Sequence, residues 1–359
     1  MNAAADQPET HRADVPGGRV WPAVSIIMPV LDEERHLAES VAGVMAQDYP
    51  GETELVLALG PSRDRTNEIA RGLAAEDPRV RLVDNPAGRT PAGLNAALAA
   101  ARHNIIVRVD GHGVLCEGYI RTAVQVLEQT GAANVGGIMH AEGQTDFEQA
   151  VARAYTSRFG LGGGRFHIGG EAGPADTVYL GVFRREVLDK LGGFDEHFQR
   201  AQDWELNHRI RAAGETVWFT PELSVRYRPR PDLRSLARQF LKTGQWRREV
   251  VRRYPETASP RYLAAPVVTA GVAGGTLAGL AAAVGAPGWL AIGWLAPAGY
   301  AAGVLVAGLS GGRGLPPRAR AWLPGVLATM HLTWGTGFII GVRPRQGARS
   351  PEALEHAPR

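Results

Sequence analysis

Residues 24–34 read VSIIMPVLDEE, a seven-residue apolar run followed by a turn that carries Asp32, Glu33 and Glu34. A run this short, dominated by branched side chains and closed by polar residues, predicts a buried strand rather than a helix. Residues 33–46 follow with helical composition. The alternation then repeats, with strands expected at 55–59, 80–83 and 105–109 and helices at 64–75 and 91–101. Such repetition predicts an α/β fold whose mostly parallel sheet is covered on both faces. In sheets of this kind ligands sit beyond the carboxyl ends of the strands. That rule singles out Pro29 to Glu33 after the first strand and Asp110-Gly111-His112 after the fourth. No glycine-rich dinucleotide fingerprint follows the first strand and no Walker sequence occurs, which sets aside those two phosphate-binding devices.

The chain has 359 residues, enough for one large catalytic domain with appendages. Its apolar residues are unevenly spread: residues 262–312 contain no Asp, Glu, Lys or Arg. That stretch is long enough for two bilayer crossings, near 263–284 and 288–309, and a third apolar stretch at 321–342 is interrupted only by His331. Cys116 is the sole cysteine, so neither an internal disulfide nor a multi-thiolate metal site is available. The first twenty residues are polar, without the apolar centre of a signal peptide, and read as a flexible leader. The domain behind them is accordingly expected to be cytoplasmic.

The net charge of +3 conceals a local bias. Residues 226–261 hold ten Arg and one Lys against one Asp and two Glu, a local +8 directly before the apolar block. A basic patch there points to the cytoplasmic face of a membrane rather than to nucleic acid. Arg247, Arg248, Arg252, Arg253 and Arg261 precede the two expected crossings, and Arg313, Arg318 and Arg320 follow them, so both ends of that hairpin belong on the cytoplasmic side. A third crossing would carry Arg343, Arg345 and Arg349 outward. Residues 321–342 therefore either cross against that bias or form an interfacial or re-entrant element.

Two carboxylates stand where chemistry is expected. Asp110 ends an apolar strand, a position suited to a hard divalent cation and equally suited to a turn cap; His112, two residues on, is a ligand or a phosphate contact. Asp203 opens a helical pattern in which Leu206, Ile210 and Ala213 share a face, so it is either a helix N-cap or a general base.

Motifs spread along the chain add to this reading. They are VSIIMPVLDEE at 24–34, SRDRT at 62–66, NPAGRTPAGLNAAL at 85–98, VRVDGH at 107–112, DTVYLGVFRREVLDKLGGFDE at 176–196, RAQDWELNHRIRAAG at 200–214 and YRPRPDLRSLARQFLKTGQW at 227–246. In order and breadth they resemble the family 2 glycosyltransferases with the GT-A nucleotide-sugar-binding fold, and within them the ExoA-like enzymes of exopolysaccharide synthesis. The resemblance implies that Pro29, Glu33 and Asp64 lie on the donor-nucleotide side, and that Asn85, Gly88, Arg89 and Asn95 shape the part facing the phosphates. It assigns Asp110 and His112 to the metal motif, with Mg2+ or Mn2+ as cofactor, and Asp203 to the base of an inverting transfer. Gln239 and Trp246 fall on the acceptor side, although a core role suits Trp246 as well.

The sequence also departs from the family pattern. Leu59-Gly60 stands where an acidic pair would read the base, His112 replaces the second carboxylate of the metal motif, and Gln202-Asp203 replaces two acids. The segment from Gln239 to Trp246 is not the QxxRW of processive synthases, which implies one sugar per encounter. The expected organisation is a leader at 1–21, a GT-A catalytic domain at 22–225, a basic amphipathic segment at 226–261, a membrane region with two or three hydrophobic helices at 262–342 and a flexible tail at 343–359. The implied partners are a nucleotide-sugar donor, a polyprenyl-linked saccharide acceptor, membrane lipids and a polysaccharide assembly complex, in a multi-pass protein of the inner or plasma membrane. A polyprenyl-monophosphate acceptor and an inactive membrane scaffold are the alternatives.

Overall fold

The structure is a computed structural model and describes residues 19–162 and 164–342. The tail expected at 343–359 and most of the leader lie outside the described residues. Strand β1 (Val24–Val30) is central, and its side chains alternate as a pleated strand requires. Ile26, Met28 and Val30 join one core cluster with Leu37 and Val41, whereas Ile27 joins a second with Leu94 and Ala97. Helix α1 (Leu37–Met45) begins four residues later than expected, because Asp32 takes φ +55° and residues 33–36 form a turn.

The next elements alternate as predicted: β2 (Thr53–Leu59), α2 (Thr66–Glu76), β3 (Val80–Asp84), α3 (Thr90–Ala100) and β4 (Ile105–Arg108). β3, β2, β1 and β4 lie side by side, all parallel. The other half of the sheet is mixed. After β5 (Val114–Leu115), α4 (Tyr119–Thr130), β6 (Asn134–Ala141), α5 (Asp146–Tyr155), α6 (Arg165–Ile168) and β7 (Gly173–Pro174) comes β8 (Tyr179–Arg184), which runs antiparallel to both β4 and β6. Beyond α7 (Arg185–Lys190) and α8 (Gln202–Ala212), β9 (Val217–Tyr227) pairs parallel with β6 and carries β5 and β7 antiparallel. Placing β8 beside β4 brings the two halves together at the carboxyl end of β4.

The basic segment expected at 226–261 is divided among several elements. Its first residues finish β9, and α9 (Leu233–Arg253) starts at Asp232, whose carboxylate accepts the Ser235 backbone N–H at 2.8 Å. Leu236, Phe240, Trp246 and Val250 on α9 are buried. Three apolar helical segments follow: α10 (Pro260–Ala283), a 3-10 turn (Gly288–Trp294) continued by α11 (Leu295–Gly311), and α12 (Pro317–Ile340). Each is long and apolar enough to cross a membrane. A third core cluster joins Met139, Phe147 and Tyr155 of the sheet domain to Leu236 and Phe240 of α9 and to Leu323, Val326 and Leu327 of α12.

Candidate active site

The site is organised by a charged residue inside an apolar strand. Arg108, the last residue of β4, is 2% exposed. Its backbone pairs with Ile27 on β1 and with Gly181 on β8, so the sheet holds it from both sides. The guanidinium meets the Asp110 carboxylate at 3.1 Å and forms an ion pair with Asp203 at the start of α8. A buried guanidinium is tolerated when carboxylates compensate its charge, and this one joins two acids far apart in sequence. The N-cap of α8 is Ala201, at φ +62°, and Asp203 makes no cap bond. The N-cap alternative for Asp203 therefore gives way to a bridge with Arg108.

Asp110 and His112 flank a tight turn. The Gly113 N–H donates to the Asp110 carbonyl at 2.8 Å, and the buried Ser40 hydroxyl of α1 donates to the Gly113 carbonyl at 2.8 Å. Nδ1 of His112 lies 2.8 Å from Oε1 of Glu33. Glu33 was expected beside the donor nucleotide, and here it orients the His112 ring. The Glu33 hydrogen bond raises the His112 pKa, with Asp110 adding to it against the effect of burial.

The loop after β1 interlocks with the loop before α2. Asp32 accepts the Arg63 N–H at 2.8 Å, the Glu33 N–H donates to the Thr66 hydroxyl at 2.6 Å, and Asp64 accepts the Glu34 N–H at 3.2 Å. Asp64 also accepts from the hydroxyl and backbone N–H of Thr66, and the hydroxyl bond leads in holding its pKa low. Its carboxylate is thus engaged in the loops themselves. Pro29 lies at the end of β1 against Gly93, where a Cβ would come 3.0 Å from the proline.

On the neighbouring edge, Asn85 is buried and donates to the Arg89 carbonyl at 3.1 Å, while Gly88 turns at φ +60° against Pro61. Asn95 clasps Phe194 in both directions: its amide donates to the carbonyl and its oxygen accepts the N–H, each at 2.8 Å. Arg89 reaches Glu196 at 3.6 Å. These residues dock the loop ahead of α8 onto the first half of the sheet.

The two acceptor-side residues separate. Gln239 accepts from Arg230 at 3.0 Å and donates to the Tyr227 hydroxyl at 3.1 Å. Trp246 instead packs in a buried cluster with Phe198, Trp204 and Val250, supporting α9 against α8. Sequence reasoning passed over Arg108, Arg200 and Arg230. Burial and the charge of Arg230 lower the Arg200 pKa, and the field of Arg230 reaches His112. Neither Arg200 nor Arg230 has a carboxylate within ion-pair distance among the described residues, and Arg230 is the one whose charge is felt at His112. The signal for Arg108 was available: a charge at a strand position flanked by buried apolar residues calls for a partner.

Residues 25–192 match the model of glycosyl transferase family 2. The chain is 30% identical over 328 residues to the succinoglycan biosynthesis protein ExoA of Rhizobium meliloti, covering 87% of this chain and 93% of that protein. The chain belongs to glycosyl transferase family 2. A second relative in Methanococcus voltae, a dolichyl N-acetyl-alpha-D-glucosaminyl phosphate 3-beta-D-2,3-diacetamido-2,3-dideoxy-beta-D-glucuronosyltransferase, is 21% identical over 62% of this chain and 71% of its own length. Among solved structures, the mannosyltransferase PcManGT of Pyrobaculum calidifontis, in complex with GDP-Man and Mn2+, superposes with a TM-score of 0.56 at 20% identity, covering 89% of this chain and 87% of that one. The family 2 transferase therefore has the GT-A fold, followed here by three apolar helices that suit membrane association. Among the described residues no three His, Cys, Asp or Glu side chains gather into a complete metal cage.

Proposed function

We propose that this family 2 enzyme moves a single sugar, with inversion, from a nucleotide-sugar donor to a lipid-linked saccharide acceptor in exopolysaccharide or cell-envelope glycan synthesis. The observation that carries the reading is the Arg108 bridge, which fixes Asp110 and Asp203 at one guanidinium. A transfer site needs a carboxylate for the donor's metal and another for the acceptor hydroxyl, and one rigid strand end sets both.

The donor set fits a divalent cation that shares its coordination with phosphate. Mg2+ commonly takes one or two carboxylates and fills its other positions with water and substrate oxygens. Asp110 offers the carboxylate. His112, with Nδ1 directed to Glu33, keeps Nε2 for a ligand, in the manner of metal-binding histidines backed by a carboxylate. A bound Mg2+ or Mn2+ would neutralise negative charge gathering on the donor diphosphate, and PcManGT carries Mn2+ with its nucleotide sugar. Arg230, whose field reaches His112, supplies further positive charge toward the same group. Asp203 then accepts the proton of the acceptor hydroxyl as it attacks opposite the departing nucleotide.

The name of the Methanococcus voltae relative includes a dolichyl phosphate sugar, which favours a lipid-linked acceptor. The catalytic domain is assigned to the cytoplasmic face of the inner or plasma membrane. Arginines flank the α10–α11 hairpin, and Arg153 of α5 donates to the carbonyls of Gly311 and Arg313 at 2.9 Å, tying the loop before α12 to the catalytic domain.

Asp203→Asn tests the assignment. The amide keeps the shape and loses the base, so turnover falls about a hundredfold or more while donor affinity holds. Asp110→Asn loses donor affinity in the presence of metal. Near-normal turnover by a folded Asp203→Asn, or a product that retains the donor's anomeric configuration, overturns the mechanism.

A further inference from the structure

A cavity of about 1100 Å3 lies outside the cleft of Asp110 and Asp203, between the sheet domain, α9 and the three apolar helices. Its two sides differ in chemistry. One is cationic, formed by Arg211, Arg247 and Arg261; the other is hydrocarbon, formed by Val268, Val304 and Met330 of α10, α11 and α12. Trp204, the residue after the proposed base, belongs to the wall.

Arg247 is the informative residue. Its guanidinium lies 4.0 Å from the ring centre of Tyr262 and 4.6 Å from that of Trp204. Aromatic faces attract a cation without neutralising it. Nη1 of Arg247 is buried without a hydrogen-bond partner among the described residues. Arg261 also lies near Tyr262, 5.6 Å from the ring centre, and donates to the Leu161 carbonyl at 2.9 Å. Burial first, and Arg261 in addition, lower the Arg247 pKa, while Tyr262 opposes them. The acid facing this side is Asp176, 3.9 Å from Arg211 and 88% exposed; the nearby Glu256 is engaged with His208 at 3.1 Å. A desolvated guanidinium beside a second one needs an anion, and a buried donor without an acceptor is costly to leave so.

We propose that this cavity holds the phosphate-bearing end of the acceptor lipid, a long-chain isoprenyl diphosphate. Its diphosphate lies on Arg247, Arg261 and Arg211, and the first isoprene units lie along α10, α11 and α12. The inference deepens the lipid-acceptor reading and rests on it. A free nucleotide or sugar phosphate matches the arginines but leaves the hydrocarbon side without a partner, and a plain lipid tail does the reverse. With the head group beside Trp204, the attached saccharide extends toward Asp203.

Binding of geranylgeranyl diphosphate to the full-length protein in detergent micelles tests this, with geranylgeraniol and inorganic pyrophosphate as the two half-ligands. Each half-ligand is expected to bind at least about tenfold more weakly than the whole. Arg247→Gln is expected to weaken the diphosphate lipid by about tenfold or more, as one charge-assisted contact is lost, and to leave geranylgeraniol unchanged. Val304→Trp, which narrows the hydrocarbon side, weakens both lipids and spares pyrophosphate, so the test survives if Arg247→Gln does not fold. Equal binding of alcohol and diphosphate, or of pyrophosphate and diphosphate lipid, overturns the proposal, as does a folded Arg247→Gln that binds like wild type. Donor binding measured in parallel separates the two readings. Donor turnover with lipid binding indifferent to these changes removes this site alone, whereas loss of both donor and lipid binding in wild type removes the acceptor reading with it.

Discussion

Helices α10 and α12 have the same length, 24 residues, and both are apolar enough to span a bilayer, yet they are built into the molecule in different ways. The most apolar window of α10 is 11% buried and that of α12 is 33% buried. On α10, Val267, Leu277 and Leu280 face outward. On α12, Ala319, Leu323, Val326, Leu327 and Met330 form a helical stripe sealed against α5, α9 and α11. Contact with α9 is close enough to need glycine on both helices: a Cβ on Gly244 would come 2.0 Å from the Trp334 carbonyl oxygen, and one on Gly337 would come 2.0 Å from that of Leu241. Small residues let apolar helices approach at their backbones, where packing rather than hydrophobicity joins them. The α10–α11 hairpin thus keeps its apolar side chains outward, while α12 fastens the catalytic domain to the hairpin.

The contrast is most easily broken at the glycines. Gly337→Val forces α9 and α12 apart and is expected to leave less than about a tenth of wild-type folded, active protein. Gly271→Val on α10, where a Cβ meets nothing within 4 Å, leaves yield and turnover within about twofold. Size-exclusion profiles and transfer assays in detergent read both, and equal tolerance means that α12 is not docked as described.

A smaller effect is expected from truncation. Leu327→Ala, at a position 1% exposed, costs about 2–5 kcal/mol of unfolding stability, whereas Leu277→Ala, at one 68% exposed, stays within about 0.5 kcal/mol. Denaturant unfolding in one detergent compares them, and matching losses dissolve the distinction between the helices. The least perturbing change is Arg313→Cys in a Cys116→Ser background. The side chain is exposed and its backbone carbonyl keeps the bond from Arg153, so activity is expected to be unchanged. In sealed vesicles the thiol reacts only from the side that carries the catalytic domain. Labelling from the opposite side reverses the orientation assigned to the α11–α12 junction.

Much of the first half of the molecule was legible in the amino-acid sequence. The strands 24–30, 55–59, 80–83 and 105–109 and the helices between them declare themselves because a pleated strand and an amphipathic helix impose their periods locally. The turn at Asp110 and His112 was legible for the same reason, since it follows a strand end. So was the existence of three long apolar segments, which needs only length and composition. The tertiary structure decided what those features do together. Composition cannot tell whether an apolar helix faces lipid or protein, because both neighbours welcome the same side chains; Gly337 permits the close approach of α12, but its partner on α9 is set only by the fold. The interlock of Asp64, the burial of Trp246 and the Arg108 bridge from Asp110 to Asp203 depend on contacts between distant segments. Sequence fixes which charges exist; only the packed sheet brings two acids to one buried guanidinium, where desolvation makes their pairing compulsory.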